Sequence, residues 1–378
     1  MPSPLTRLIA LQFVFAMNAL GLSVWFPRIP DVKAALGLDI LTLSLCLFAM
    51  PVGTMVGFLT VNRVVHRAGL KATATWGGAA FLVSFIGPAL ARDAATLGLA
   101  LFVCGLSIAS IEVAMNAKAS QMEAALQRRV MTRCHAFWSF GTVIGALIGG
   151  AFAQADASFL QQQLLLQPLF AAATILAGWL LIPDAPRAPA PSRGFAVPSA
   201  ALLLLCLAPL GALLIEGAMM EWSALLLREH VGASPFVTAA TFSVFALAMA
   251  CGRLAGDRLA EAFGAGPVIL ASTLAMAAAI LGFALSREVW LSMPFAALVG
   301  LGCANVYPLT MSMVAPLPGQ PPEKNVATLA LTAFTAFLIG PPFIGLMASV
   351  VGLPAALALL APVGPAALLA RVAAGRRQ

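Results

Sequence analysis

The stretch GRLAGDRLAEAFG occupies residues 252–264, and its counterpart GFLTVNRVVHRAG occupies residues 57–69. Both stretches begin and end with glycine, and Asp257-Arg258 of the later one aligns with Asn62-Arg63 of the earlier one. The offset is 195 residues, and it also pairs Gly37 with Gly232, Gly87 with Gly282, Gly105 with Gly300, Gly145 with Gly340 and Gly150 with Gly345. One offset without gaps over more than a hundred residues indicates an internal duplication, which is a common feature of membrane transporters.

The composition predicts a protein that is embedded in lipid. Hydrophobic residues make up 61% of the chain and charged residues only 9%, whereas soluble domains carry about 25% charged residues. Apolar stretches long enough to cross a bilayer recur along the chain, and backbone amides in hydrocarbon must pair within a helix. We therefore predict an all-α integral membrane fold with twelve spans, at residues 5–27, 39–61, 70–91, 95–117, 134–154, 162–182, 199–222, 236–255, 266–285, 290–313, 325–349 and 353–372.

The net charge of +7 reports membrane orientation rather than nucleic-acid binding. With a cytoplasmic N-terminus, most of the 21 Lys and Arg residues fall on the inner side, and the exceptions are Arg28, Lys33, Arg92, Arg228 and Arg287. This asymmetry predicts a multi-pass protein of the inner (plasma) membrane with both termini in the cytoplasm. The six cysteines form no C-x-x-C pair, so we expect neither a metal site nor a disulfide framework.

A polar, proline-rich segment divides the chain. Residues 183–198 are rich in proline and include the charged residues Asp184, Arg187 and Arg193. We interpret them as a cytoplasmic linker between a six-helix bundle at 1–182 and another at 199–378. Because six is even, both bundles enter the bilayer in the same sense, as parallel repeats.

The glycine-bounded stretch resembles the motif between helices 2 and 3, often repeated between helices 8 and 9, of the major facilitator superfamily. Residues 252–264 fit its pattern well, whereas Asn62 replaces the usual aspartate in the first half. The resemblance covers essentially the full chain and implies the major facilitator fold. A carboxylate and an arginine at helix ends can form charge-assisted hydrogen bonds in one conformational state. We predict such a conformational latch from Gly57, Asn62, Arg63, Arg67, Gly252, Asp257 and Arg258; alternatively, the arginines only set the topology.

Two further segments resemble branches of this superfamily. Residues 216–224, together with Asn116 and residues 134–137, resemble a poorly characterised branch near the fucose permeases. Residues 141–150 resemble the antiporter motif of drug exporters, but Ala146 stands where that motif has proline. Small residues at this spacing also allow close helix packing. Because the proline is missing, the segment argues mildly against a drug antiporter.

Ionisable residues inside spans are the strongest functional pointers, because an unpaired charge at the bilayer centre costs about 2.5–3.5 kcal/mol. We predict Glu112, Glu216 and His135 as proton-coupling residues. Glu112 is the first choice. When protonated, its carboxyl can be enclosed as the halves close, and when ionised it resists closure. This difference couples proton flow to alternating access. The alternatives are that Glu112 pairs with His135 or an arginine, that Glu216 is a polar bridge and that His135 is a solvated residue at the start of its helix. We expect Glu221 and Trp222 at the outer interface and Lys118 extended to the cytoplasmic surface.

The solute site is expected near the midplane between the halves, and the resemblance implies that helices 1, 4, 7 and 10 line it. The predicted substrate-binding residues are polar side chains within spans: Gln12, Asn18, Asn116, Asn305, Tyr307, Thr332 and Thr335. Each of them alone could instead form a helix–helix hydrogen bond.

The sequence contains no ATP-binding or hydrolase motif, so we expect neither an enzyme nor a cofactor. We predict a monomeric secondary transporter that moves a small polar solute by proton-coupled symport. The alternatives are a proton/solute antiporter that exports drugs or metabolites and, from another class, a transporter-like sensor or membrane enzyme.

Overall fold

The computed structural model describes residues 3–184, 200–317 and 322–366. Within these ranges the chain is helical, without strands. The twelve main helices, α1 to α12, are Pro4–Ser23, Ile40–Ala68, Leu70–Leu90, Ala94–Leu126, Met131–Gln154, Phe159–Trp179, Ala200–Leu226, Pro235–Phe263, Ala265–Leu285, Val289–Val314, Pro322–Val351 and Leu353–Ala358. A short helix, Ile29–Ala35, follows α1, and a π-helical turn, Thr73–Gly77, interrupts α3.

The predicted all-α membrane fold is confirmed. Eleven of these helices are long and apolar enough to cross a membrane, and α12 belongs to a shorter apolar segment, Leu353–Ala366. Helices α2, α4 and α8 run several residues beyond the predicted spans, because a helix satisfies its own backbone after the apolar stretch ends. The residues 367–372 of the last predicted span and 185–198 of the predicted linker lie outside the described residues.

The chain divides into two compact units. The first contains residues 1–188 and Ser234–Ser243, and the second contains residues 189–233 and 244–378. The predicted bundle boundaries at 182 and 199 stay predictions.

The duplication is visible in the packing inside each unit. A Cβ added to Gly57 of α2 would lie 2.6 Å from Ala109 of α4, and a Cβ added to Gly252 of α8 would lie 2.7 Å from Ala304 of α10. Both pairs are related by the 195-residue offset. The glycines therefore let the same two helices approach closely in each repeat.

The glycine stripe of α5 is occupied by helix packing. Gly141 and Gly145 lie against the backbone of α1 at Ala16 and Leu20, and Gly149 lies against Val24, the residue that follows α1. This contact accounts for the small residues of the segment that resembles an antiporter motif.

Two expectations about position are wrong. Trp222 is fully buried, not at an interface, and Lys118 is only 1% exposed. Glu221, expected beside Trp222 at the interface, lines a cavity within the second unit. Trp222 packs inside the second unit, and Lys118 finds polar partners that the sequence did not reveal, described below. Five of the six free cysteines are also buried, and Cys251 is the exposed one.

Candidate coupling and transport site

Helix α4 presents a carboxyl group without a polar partner in the described part of the chain. Glu112 is exposed in the isolated chain, and its side chain forms no hydrogen bond or ion pair with any residue that the structure describes. One turn further along α4, Asn116 accepts a hydrogen bond from Nε2 of His135 at 3.2 Å, since a carbonyl oxygen can only accept. The His135 ring also lies edge-on to Phe15, with 5.5 Å between ring centroids. The structure thus brings Asn116 and His135 together and leaves the Glu112 carboxyl unpaired.

Helix α1 holds the two predicted amide side chains in buried positions. Gln12 is 3% exposed, and its Nε2 donor has no partner among the described residues. Asn18 is fully buried and donates to the carbonyl of Val14 at 2.8 Å. Because Asn18 also lies against Gly78 of α3, its surroundings favour a helix–helix contact over a ligand contact.

The second unit contains an ion pair on the helix that carries the glycine motif. The Arg253 guanidinium of α8 lies 3.4 Å from Glu216 of α7, and the two side chains are 44% and 15% exposed. Sequence reasoning missed this pair because it assigned Arg253 only to membrane topology. The signal was its position directly after Gly252, inside the motif itself.

The same motif binds Asn305. This α10 side chain is buried and donates from Nδ2 to the Gly252 carbonyl at 3.0 Å. A Cβ on Gly256 would collide with it. Asn305 therefore joins α10 to α8, which favours the helix-contact alternative for this predicted substrate-binding residue.

The remaining predicted solute contacts also have partners within the protein. Tyr307 packs against two apolar clusters, one around Leu205 and one around Leu213. On α11, Thr332 donates to the Thr328 carbonyl at 3.1 Å and Thr335 to the Leu331 carbonyl at 2.9 Å. These bonds use the single O–H donor of each threonine, so the two hydroxyls could contact a solute only as acceptors.

The predicted latch residues lie at the surface of their units. The side chains of Asn62, Arg63, Arg67, Asp257 and Arg258 are exposed, and no ion pair joins them to one another within the described part of the chain. Gly57 and Gly252, by contrast, pack tightly as described above. The latch therefore stays a prediction.

In the first unit, the carboxylate of Asp184 lies against the end of the glycine-bounded stretch 57–69. Asp184 accepts a hydrogen bond from the Lys71 amide at 2.9 Å and forms an ion pair with Lys118 at 2.5 Å. We call this arrangement the Gly69 corner; it comprises Gly69, Lys71, Lys118, Trp179, Ile182 and Asp184.

Backbone carbonyls complete the Gly69 corner. The Lys118 ammonium donates to the Ile182 carbonyl at 2.9 Å, and the Lys71 ammonium donates to the Trp179 carbonyl at 2.7 Å. Gly69 has φ +83°, and a Cβ at that position would collide with the Asp184 carboxylate. The corner thus joins the turn between α2 and α3, Lys118 of α4 and the residues after α6 through one carboxylate.

The environment of Asp184 keeps it ionised. Burial acts to raise the pKa of this carboxyl, but hydrogen bonds from Lys118 and the Lys71 amide, and the Lys118 charge, outweigh it. The net result is a pKa below the ordinary value, as expected for a carboxylate with several donors.

Comparison with known proteins assigns the family. The Major Facilitator Superfamily pattern matches residues 205–377. The chain is 32% identical to the uncharacterized transporter y4wD of Sinorhizobium fredii, covering 92% of this chain and 96% of that protein. It is 29% identical to an uncharacterized MFS-type transporter of Yersinia pestis, covering 99% and 96%.

Solved structures share the fold. The nucleoside transporter NupG superposes with a TM-score of 0.71 at 12% identity, over 97% of this chain and 98% of that one. A D-xylose-proton symporter superposes with a TM-score of 0.74 at 11% identity, over 96% of each chain. The chain belongs to the major facilitator superfamily and is a multi-pass secondary transporter that works by alternating access.

Proposed function

We propose that this transporter takes up a small polar solute together with protons, and that Glu112 carries the coupling proton. The observation that supports this is the unpaired Glu112 carboxyl on an apolar helix. A structural carboxylate at such a place is expected to have a cation or a set of donors, because an uncompensated charge in the membrane is costly. A carboxyl that lacks a cation or donors is stable in two states. In one it is protonated and enclosed, and in the other it is ionised and exposed to water.

The neighbouring polar pair fits a role in solute binding. Asn116 lies one turn from Glu112 on α4 and accepts a hydrogen bond from His135 of α5. A solute with hydroxyl or amide groups could exchange hydrogen bonds with both side chains. We infer that solute binding at this pair and protonation of Glu112 favour the same conformational state, which is what coupling requires.

Glu216 is the second carboxyl in this proposal. Its contact with Arg253 at 3.4 Å would weaken when the carboxyl takes up a proton. This would loosen α7 from the motif-bearing helix α8, so that Glu216 would respond to protonation without binding the solute.

Uptake is favoured over export by the α5 glycine stripe. The segment that resembles an antiporter motif lacks its proline, and its glycines are in contact with α1. Export by proton exchange remains the competing function, and the direction of solute movement separates the two.

The test uses purified protein in sealed proteoliposomes, with a solute found by thermal-shift screening of sugars, organic acids and drugs. An inward proton gradient of about one pH unit supports about tenfold accumulation for one proton per solute. Glu112→Gln should abolish this accumulation and leave solute exchange without a gradient intact. The control is Glu261→Gln, because Glu261 is an exposed carboxylate of α8.

Two results would contradict the proposal. Extrusion of the solute under an inward proton gradient would refute symport. Undiminished accumulation by Glu112→Gln would show that this carboxyl is structural. The same vesicles allow tagged termini to be tested for the proposed cytoplasmic location of both ends.

A further inference from the structure

In the other unit, a second membrane-spanning helix carries a carboxyl without a polar partner among the described residues. Glu221 stands near the middle of the apolar segment Pro209–Val231 of α7. It lines a small cavity between α7 and α11 with Gly217, Phe337, Gly340 and Pro341. The cavity measures about 10 Å³, close to the smallest space that can hold one water molecule.

The α11 side chains that line the cavity opposite Glu221 carry no hydrogen-bond donor. Pro341 and Pro342 have no N–H, so the carbonyls of Phe337 and Leu338 lose their usual helical donors. The other residues around the cavity are apolar. No described residue forms a hydrogen bond or ion pair with the Glu221 side chain.

Among the described residues, the helices around Glu221 place no compensating charge against it. The segments that pack against α7, namely α9, α10 and Leu353–Ala366, contain no Asp, Glu, Lys, Arg or His. Helix α11 carries Glu323 and Lys324 only at its beginning, far along the chain from Pro341. On the chain of α7 itself, Glu216 is engaged with Arg253, and Arg228, Glu229 and His230 follow at its end.

We propose that Glu221 is a proton-binding site of this transporter, separate from Glu112, and that its proton holds α7 against the proline-interrupted part of α11. An ionised carboxylate needs donors, and apart from Glu221 itself the side chains lining this cavity are apolar. A protonated carboxyl can donate its O–H to a carbonyl that proline has freed. Proton release would leave a charge without donors, so water would have to enter and the two helices would have to separate.

The ligand is a proton rather than a metal cation. Hard cations take about six or more oxygen ligands. One carboxyl and a few carbonyls in a space for one water cannot supply that number.

The test labels purified protein with dicyclohexylcarbodiimide, an apolar reagent that reacts with protonated carboxyls, and reads each glutamate by peptide mass spectrometry. Glu221 should be labelled at about pH 6 and at least tenfold less at about pH 9. Exposed Glu229 is the internal control and should stay unlabelled, and Glu221→Gln should remove the label from this peptide only. Pro341→Ala returns a donor to the Phe337 carbonyl and should move the labelling midpoint to lower pH.

Each outcome decides the proposal. Absence of label at Glu221 across this pH range would overturn it, as would labelling that does not change with pH. Protection by NaCl but not by KCl at constant pH would show a sodium site instead. Because Glu112 lies on a different peptide, its labelling is read separately, so failure at Glu221 leaves the role proposed for Glu112 untouched.

Discussion

The turns at Gly69 and Gly264 have one backbone conformation and different surroundings. Their φ and ψ angles are 83° and 162° at Gly69, and 84° and 148° at Gly264. A Cβ on Gly69 would meet the Asp184 carboxylate, whereas a Cβ on Gly264 would meet only Pro267, at 3.7 Å. The duplication has kept the turn, and among the residues that the structure describes only the first copy places a carboxylate against it.

The difference also concerns where the acid comes from. The second copy has Asp257 within the motif, but its side chain is exposed. The first copy has Asn62 at that position and receives a carboxylate from Asp184, after the end of α6. The corner at Gly69 is therefore stabilised by Asp184, a residue distant in sequence. The corner at Gly264 has an acid within the motif, Asp257, but no described residue pairs with it.

Substituting alanine for Gly69 and for Gly264 should distinguish the cost of backbone strain from the cost of losing the Asp184 contact. Both positions have angles that only glycine adopts readily, so each substitution should cost about 1–3 kcal/mol. Gly69→Ala should cost more than Gly264→Ala, because the new methyl also displaces Asp184. Thermal unfolding of the purified protein in detergent measures both. Equal losses would mean that the Asp184 contact contributes little.

Removal of the Asp184 carboxylate should have the next largest effect. Asp184→Ala leaves the Lys118 ammonium, 1% exposed, without its counter-ion. Breaking a fully buried pair costs about 3–5 kcal/mol, and the partial exposure of Asp184 lowers our expectation to about 2 kcal/mol.

Matched variants test the cause of this loss. Asp257→Ala in the second copy should change stability by less than about 0.5 kcal/mol, as for other exposed positions. Adding Lys118→Met to Asp184→Ala should recover part of the loss, because no buried charge is left. A double variant no more stable than Asp184→Ala would contradict this account of the corner.

The smallest expected effect is a dependence of stability on pH at the first corner. Because the folded-state pKa of Asp184 is lowered from its ordinary 3.8, its stabilisation is fully present above that value and is lost as the pH falls through the lower folded pKa. The difference in melting temperature between the wild type and Asp184→Asn should stay constant down to about pH 4 and shrink below it. A difference that already shrinks near neutral pH would point to another group.

The fold could be predicted from the sequence because it rests on local signals. Long apolar runs define the helices, and the glycine offset of 195 residues relates the two copies. The packing of Gly57 on Ala109 and of Gly252 on Ala304 follows from that offset. Helix ends were less accurate, because helices such as α4 continue beyond the apolar stretch that hydropathy detects.

The polar contacts were predicted less well, because they depend on which helix faces meet. The sequence singled out Glu112, Asn116 and His135, and the structure joins only the last two. Lys118 was expected in water, yet it binds Asp184, 66 positions away along the chain. Nothing in local patterning indicates such a pair, although the missing acid at Asn62 was a hint that another carboxylate serves this corner.

The burial of five thiols leaves Cys251 as the single exposed sulfhydryl of the natural chain. It stands two residues before Arg253, on the helix that contacts Glu216. A fluorescent or spin-labelled maleimide can therefore be attached at one defined place without first engineering a cysteine-free background. Spectral changes of that probe on solute addition would report rearrangement around the α7–α8 ion pair in otherwise unaltered protein.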